Sequence, residues 1–223
     1  MEGTYLYSPF YPKAGGNANI GTTFRIQSFT NSTPINERGV PLSQVTFTWS
    51  YTGVPTTQSI VPFVGELLNN LRTYTLDALD LDILIEEPIT DTTTFTLTAS
   101  DSSTLRTATT GLIFVNPIFF GTVPSAAPSV EDILGMNRRI ALFEAFRVSL
   151  IIADEHSCFA SPMTNPITDI VETIFGLSVL GTYKIIDNVP LRMADGLIVP
   201  YRIFVKAVPE HTLGQNFLLN IVF

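Results

Sequence analysis

The chain has 223 residues, of which 45% are hydrophobic and only 14% charged, with a single cysteine. That length allows one large β-domain or two small ones in series. The scarcity of charge, with a positive mean hydropathy, means that the surface rests on Thr, Ser, Asn and backbone or is covered in an assembly, and obligate assembly is the expectation.

Twelve Lys and Arg stand against 20 Asp and Glu, a net charge of -8. The cations are scattered, with Arg138-Arg139 the only adjacent pair. The continuous basic stripe that phosphate binding needs is missing, so nucleic acid is not an expected partner. No window reaches the roughly 18 to 20 apolar residues of a membrane span; residues 140–153 and 174–186 are short or broken by Arg147, Gly181 and Lys184. No basic stretch followed by an apolar one opens the chain, so no secretion signal is expected. A protein of this kind found outside a cell would leave as cargo of a particle released by lysis. Cys158, being alone, excludes an internal disulfide framework and a multi-cysteine metal site.

Residues 1–19 mix Tyr, Pro and Gly and read as an N-terminal arm or irregular first strand. From Ile20 the pattern turns period-two. Phe24, Ile26 and Ser28 share one face; Val45, Phe47 and Trp49 alternate with Thr46, Thr48 and Ser50, which places Trp49 in the core. Residues 31–41 read as a polar loop marked by Pro34, Gly39 and Pro41, and residues 59–64 as a short strand interrupted by Pro62. Further strands are expected at 72–76, at 93–100, where Phe95, Leu97 and Ala99 face one way, and at 105–115. Short strands at this spacing predict a seven-strand-like sandwich over residues 20–117.

Residues 118–223 are expected to form a second β-sandwich domain with at most one short helix. Ser129 is its N-cap, Glu131 and Asp132 fill the first turn, and Ile133, Leu134 and Met136 follow. Phe146, Val148, Leu150 and Ile152 alternate, favouring a strand at 147–152. More strands are expected at 157–160, 167–175, 181–186, 197–207 and 217–223. The strand at 197–207 is apolar on both faces, as a strand buried on two sides should be. The fold class is therefore all-β, two β-sandwiches in series.

Reactive chemistry is sparse. His156 lies beside Asp154, Glu155 and Cys158, yet nothing in the pattern orients a thiolate against the imidazole; His211 is a lone histidine, a weak start for zinc. The acidic run Asp77, Asp80, Asp82, Glu86, Glu87 and Asp91 could contribute oxygens to calcium, which needs about six to eight converging on one point, but reads more simply as a solvated strand face. Gly15-Gly16 lacks the Lys-Ser or Lys-Thr that completes a phosphate loop. No catalytic residue, metal or cofactor is expected, and the protein is read as a non-enzyme.

Thr46-Phe47-Thr48-Trp49-Ser50, Arg72-Thr73-Tyr74-Thr75-Leu76 and the Thr-rich strand from Thr92 through Ala99 to Asp101 follow one another in the first half. In this order they resemble segments of tailed-bacteriophage virion structural proteins in which an Ig-like module precedes a second β-domain. Phe114-Val115-Asn116-Pro117-Ile118-Phe119-Phe120-Gly121 is similar to that family's junction between modules. Cys158-Phe159-Ala160-Ser161-Pro162, Pro200-Tyr201-Arg202-Ile203-Phe204 and Leu213-Gly214-Gln215 resemble motifs of its second domain. The chain departs from the pattern in the acidic residues 77–87, in the helix after Ser129, and in Phe204 where a Tyr is common.

The resemblance implies a multi-copy tail, neck or baseplate protein that connects or decorates a virion assembled in the host cytoplasm. Its implied partners are other virion proteins, further copies of itself and tail fibres. An alternative is a module recognising a host-surface glycan through Trp49, Tyr51 or nearby loops. Interface candidates are Tyr5, Tyr7, Phe10, Tyr11, Phe119, Phe120 and Phe223, because large aromatics gain most from desolvation in an interface; the same side chains suit an intramolecular core equally well.

Overall fold

The computed structural model describes residues 23–77, 92–141, 145–211 and 214–221. It is all-β, and the strands form two sandwiches that meet at Pro117. In the first, β1 (Arg25–Asn31), β3 (Gln44–Thr52) and β6 (Thr73–Asp77) form one sheet in the order β1-β3-β6. The facing sheet runs β2-β8-β7-β4-β5, from β2 (Ile35–Glu37), β8 (Leu105–Val115), β7 (Thr93–Ser100), β4 (Thr57–Val61) and β5 (Gly65–Leu67). The expected alternation fills the space between them. Val45, Phe47 and Trp49 from one sheet meet Ile60, Phe95 and Leu97 from the other, all buried, with the Phe47 and Phe95 rings 4.6 Å apart.

One buried polar side chain completes this core. Gln58, 3% exposed, accepts at Oε1 from Trp49 Nε1 (3.0 Å) and the Tyr51 hydroxyl (2.8 Å). Its amide nitrogen donates to the Leu68 and Leu71 carbonyls. A buried amide is tolerated only when satisfied in this way, and here it ties β3, β4 and the turn after β5 together.

Two expectations for the first domain are corrected. Residues 31–41 are not wholly loop, because β2 pairs in parallel with Ile113, Phe114 and Val115 of β8. Ser28 does not share the buried face of Phe24; the register shifts between Ile26 and Ser28, leaving Ser28 exposed and turning Phe29 inward. The sandwich also has eight described strands rather than about seven.

The second sandwich contains β9 (Ile118–Val123), β10 (Asn137–Arg139), β12 (His156–Pro162), β15 (Tyr183–Arg192) and β16 (Ile198–Lys206), in the sheet order β10-β9-β12-β16-β15. Against it lie β11 (Phe146–Leu150), β17 (Gln215–Ile221), β13 (Ile167–Glu172) and β14 (Leu177–Ser178), in the order β11-β17-β13-β14. The central strands of the first of these sheets, β9, β12 and β16, are largely buried on both sides, whereas the edge strands β10 and β15 are mostly exposed. Ile118, Phe159 and Phe204 pack toward Val148, Phe217 and Leu219. Phe119, Cys158, Tyr201, Ile203 and Val205 face the other way, into a separate cluster that includes Ile133 of the helix α1 (Val130–Leu134). That accounts for the two-sided apolar pattern expected at 197–207, although Ile198 at its start is exposed.

The helix begins where expected. Ser129 Oγ accepts from the Asp132 amide (3.1 Å), and Asp132 returns the contact by accepting from the Ser129 amide (2.8 Å), a reciprocal cap that satisfies two otherwise orphaned donors. β12 is longer than expected and buried throughout, and β15 runs on to Arg192 across an irregularity between Ile186 and Val189.

The domains touch where residues 37–39 meet the β15–β16 turn. Gly39 has φ +79°, and a Cβ there would lie 2.6 Å from the Asp195 amide nitrogen. Arg38 Nε stands 3.4 Å from Asp195 Oδ2, and Arg138 Nε 3.2 Å from Glu37 Oε1. The Tyr201 hydroxyl donates to the Pro117 carbonyl at 2.8 Å.

Candidate interaction surface

Of the reactive groups singled out in the sequence, His156 Nδ1 lies 2.6 Å from the Lys206 carbonyl oxygen, so the ring is held by backbone rather than by a thiol. Cys158 is fully buried; burial, reinforced by the Asp132 carboxylate, pushes its thiol up to about 12, so no thiolate is present at neutral pH. His211 pairs with Asp154 at an exposed site. Among the described residues no cluster of three or more His, Cys, Asp or Glu side chains could hold a metal, and no helix is long and apolar enough to cross a membrane. Of the acidic run, Asp77 ends β6; Asp80, Asp82, Glu86, Glu87 and Asp91 lie outside the described residues.

A polar cluster sits where β12 and β16 leave the junction behind. Ser157 Oγ lies 2.9 Å from the Tyr183 hydroxyl and donates to Glu210 Oε2 at 2.9 Å. Glu210 also faces Lys206 Nζ at 3.5 Å, and Lys206 donates to Thr182 Oγ1 at 2.7 Å. The serine here donates to a carboxylate already matched by an ammonium, which is not how a nucleophile is activated. The arrangement fastens the β16–β17 connection onto β12.

The aromatic pair considered for glycan binding is absorbed by the fold. Trp49 is core, and the Tyr51 ring stacks on Phe24 at 5.5 Å with the Arg72 guanidinium 4.8 Å from its centroid. Burial raises the Tyr51 phenol to about 12, against the opposing pull of Arg72 and a hydrogen bond from Trp49.

The aromatic interface candidates divide. Phe119 is buried with its ring 5.7 Å from Tyr201, and half-buried Phe120 meets the Phe146 ring edge-on at 6.3 Å, so both act as intramolecular packing. Tyr5, Tyr7, Phe10, Tyr11 and Phe223 lie outside the described residues.

A different apolar surface emerges from the topology. Pairings Val123 with His156, Leu150 with Gln215, Glu172 with Phe217 and Tyr183 with Lys206 all lie at one end of the second domain. The junction with the first domain is at the other end, where Ile118 pairs with Arg139 and Arg192 with Ile198. Ile151, Ile174, Phe175, Leu177 and Val208 are 64–80% exposed and lie at or next to strand ends at the far side. No other large hydrophobic described in this domain is as exposed.

The tip that carries three of them is built to hold its shape. The Glu172 carboxylate accepts from the amides of Ile174 (3.0 Å) and Phe175 (3.1 Å). The Thr173 amide donates to the Asn216 carbonyl at 2.9 Å and the Gly176 amide to the Glu172 carbonyl at 3.0 Å, with Gly176 at φ +67° closing the turn. With these backbone groups satisfied internally, the apolar side chains project outward beside a groove of about 430 Å³ that reaches Gly214 and Gln215. Sequence reading ran the strand through Phe175 and so missed the tip; Gly176, between two apolar residues, was the signal for it.

Compared with known proteins, the chain matches no family model, no curated protein and no solved structure.

Proposed function

We propose that this protein is a non-enzymatic structural connector that works in several copies through protein–protein contacts. The observation that carries the reading is the preorganised apolar tip at Ile174, Phe175 and Leu177, flanked by Ile151 and Val208 at the free end of a two-domain body. Large side chains held ready on a fixed backbone lose little entropy on docking, which is what an interface anchor requires.

The sequence resemblance to tailed-phage virion proteins, including the Ig-like character of the first module, supplies the setting: a tail, neck or baseplate component assembled in the host cytoplasm. The test is incorporation. With Phe175→Ser and Leu177→Ser combined, particles made in the producing host should lack the protein, while the purified variant melts within about 2 °C of the parent because both side chains are exposed. Normal incorporation of the variant would overturn the reading.

A further inference from the structure

We infer that the protein associates with itself head to tail, the far end of the second domain of one copy seating on the far end of the first domain of the next; this rests on the connector reading above and names its partner. In the first domain the pairings Arg25 with Thr52, Thr57 with Ser100, Gln58 with Leu67 and Ser100 with Leu105 gather at the end away from Pro117. That end also carries exposed apolar residues, since Val54, Leu68 and Leu105 are 65–76% exposed. The molecule therefore presents an apolar patch at each pole.

The two poles differ in charge. Around the first-domain patch stand Arg25, Arg72 and Arg106. Arg106 Nε donates to the Phe24 carbonyl at 3.3 Å, and one Arg72 nitrogen donates to the Asn69 carbonyl at 2.8 Å, which fixes both guanidinium groups at this end. Asp101 and Glu66 are the described carboxylates near them, and the Asp101 oxygen is engaged by the Ser103 and Thr104 amides. Around the second-domain patch stand Asp154, Glu155, Glu172 and Glu210, against Lys184 and Lys206. Two acidic poles facing each other oppose like charges, as does an acidic pole facing anionic lipid. The arginine-bearing pole of a second copy brings opposite charge and apolar surface together.

Size is of the right order. Three to five strands per sheet at about 4.8 Å, in two sheets about 10 Å apart, give with their side chains an end face on the order of 600 Å², somewhat below the roughly 800 Å² per partner of a standard interface. A heterologous contact of this kind does not close on two copies, so it builds a ring or an open row.

Sedimentation velocity on the full chain tests this. The parent should form species that grow with protein concentration and shrink in ~0.5 M salt, where the Debye length falls to about 4 Å. Val54→Asp with Leu105→Asp blocks one pole, and Ile174→Asp with Phe175→Asp blocks the other. Each variant alone should be monomeric, and an equimolar mixture should give one-to-one dimers and nothing larger, because each brings one intact pole. A parent that stays monomeric at every concentration, a first-pole variant that still dimerises alone, or a mixture that remains monomeric would each overturn it. If near-ultraviolet circular dichroism shows that an aspartate pair perturbs the fold, the serine pair at the same positions takes its place. A monomeric parent whose tip variant nevertheless drops out of particles would leave the connector reading standing and remove only self-association.

Discussion

Gln58→Leu probes the one buried amide in the first core. The substitution nearly conserves volume, so its cost is polar rather than a cavity. It leaves the Trp49 indole N–H, 2% exposed as a residue, without its acceptor and strips donors from the Leu68 and Leu71 carbonyls. A buried donor left unmade costs about 1–3 kcal/mol, while the half-exposed Tyr51 hydroxyl and the turn carbonyls can recover water; about 3 kcal/mol is expected in all. For a domain of this size that corresponds to roughly 15 °C in Tm. Trp49 is the only tryptophan, so urea unfolding followed by its fluorescence reads this core alone. With fluorescence lost in Trp49→Phe variants, far-ultraviolet circular dichroism completes a cycle of Trp49→Phe, Gln58→Leu and the double variant. The double variant should cost at least ~1 kcal/mol less than the sum of the singles, because removing both partners leaves less unsatisfied. A Gln58→Leu loss below ~0.5 kcal/mol, or strict additivity, would refute the reasoning.

Cys158 should resist a disulfide reagent at pH 8 in the folded protein and react fully in denaturant, since burial holds its thiol up near 12. Because both the Cys158 thiol and the Tyr51 phenol are raised in the fold, the unfolded chain loses these protons first. Stability from the two groups is complete below about pH 9 and declines as pH rises from there toward 12, visible as a falling Tm across that window. Gly39→Ala should loosen the domain junction, because the new methyl meets the Asp195 amide and sits at positive φ; calorimetry should show the two domain transitions moving apart, and an unchanged profile would count against the contact. Deleting residues 215–223 removes the strand between β11 and β13 together with buried Phe217 and Leu219, so the second domain should lose its dispersed NMR signals while the Trp49 unfolding curve is preserved.

Elements with strict local alternation were legible in the sequence. The strands at 93–100 and 105–115 match β7 and β8 at both ends, because apolar and Thr positions alternate from Thr94 to Ala99 and the Asp101-Ser102-Ser103 turn separates two β-rich runs. The helix start was legible from Ser129 and Asp132 alone, since capping is a local contact. β2 was not, because Ile35-Asn36-Glu37 has no period of its own and its partner lies far along the chain at Ile113. The shift after Ile26 was also hidden, since one extra residue in a strand reverses every face downstream and leaves no compositional trace. The interaction surface was hardest to see. Its members come from three separate connections, and only the pairing of strand ends shows that they share a pole.

The topology also changes what the composition means. Surplus apolar side chain in a lightly charged chain argues for assembly only if the fold cannot hide it. Here much of it is hidden, because the central strands β9, β12 and β16 bury both faces and the second domain has two hydrophobic clusters where a two-layer sandwich has one. Tyr201, Ile203 and Val205 occupy one cluster while Phe204, their neighbour in the same strand, occupies the other. A chain built this way needs a hydrophobic-rich sequence even as a monomer, so composition by itself does not carry the case for association. What supports the proposed association is position: the most exposed described large hydrophobics lie at the two poles, with three arginines against Glu66 and Asp101 around one and four carboxylates against two lysines around the other. Surface residues that no contact constrains would be scattered without regard to strand direction; the most exposed described large hydrophobics instead coincide with the two ends of one body, and the proposed head-to-tail contact rests on that coincidence.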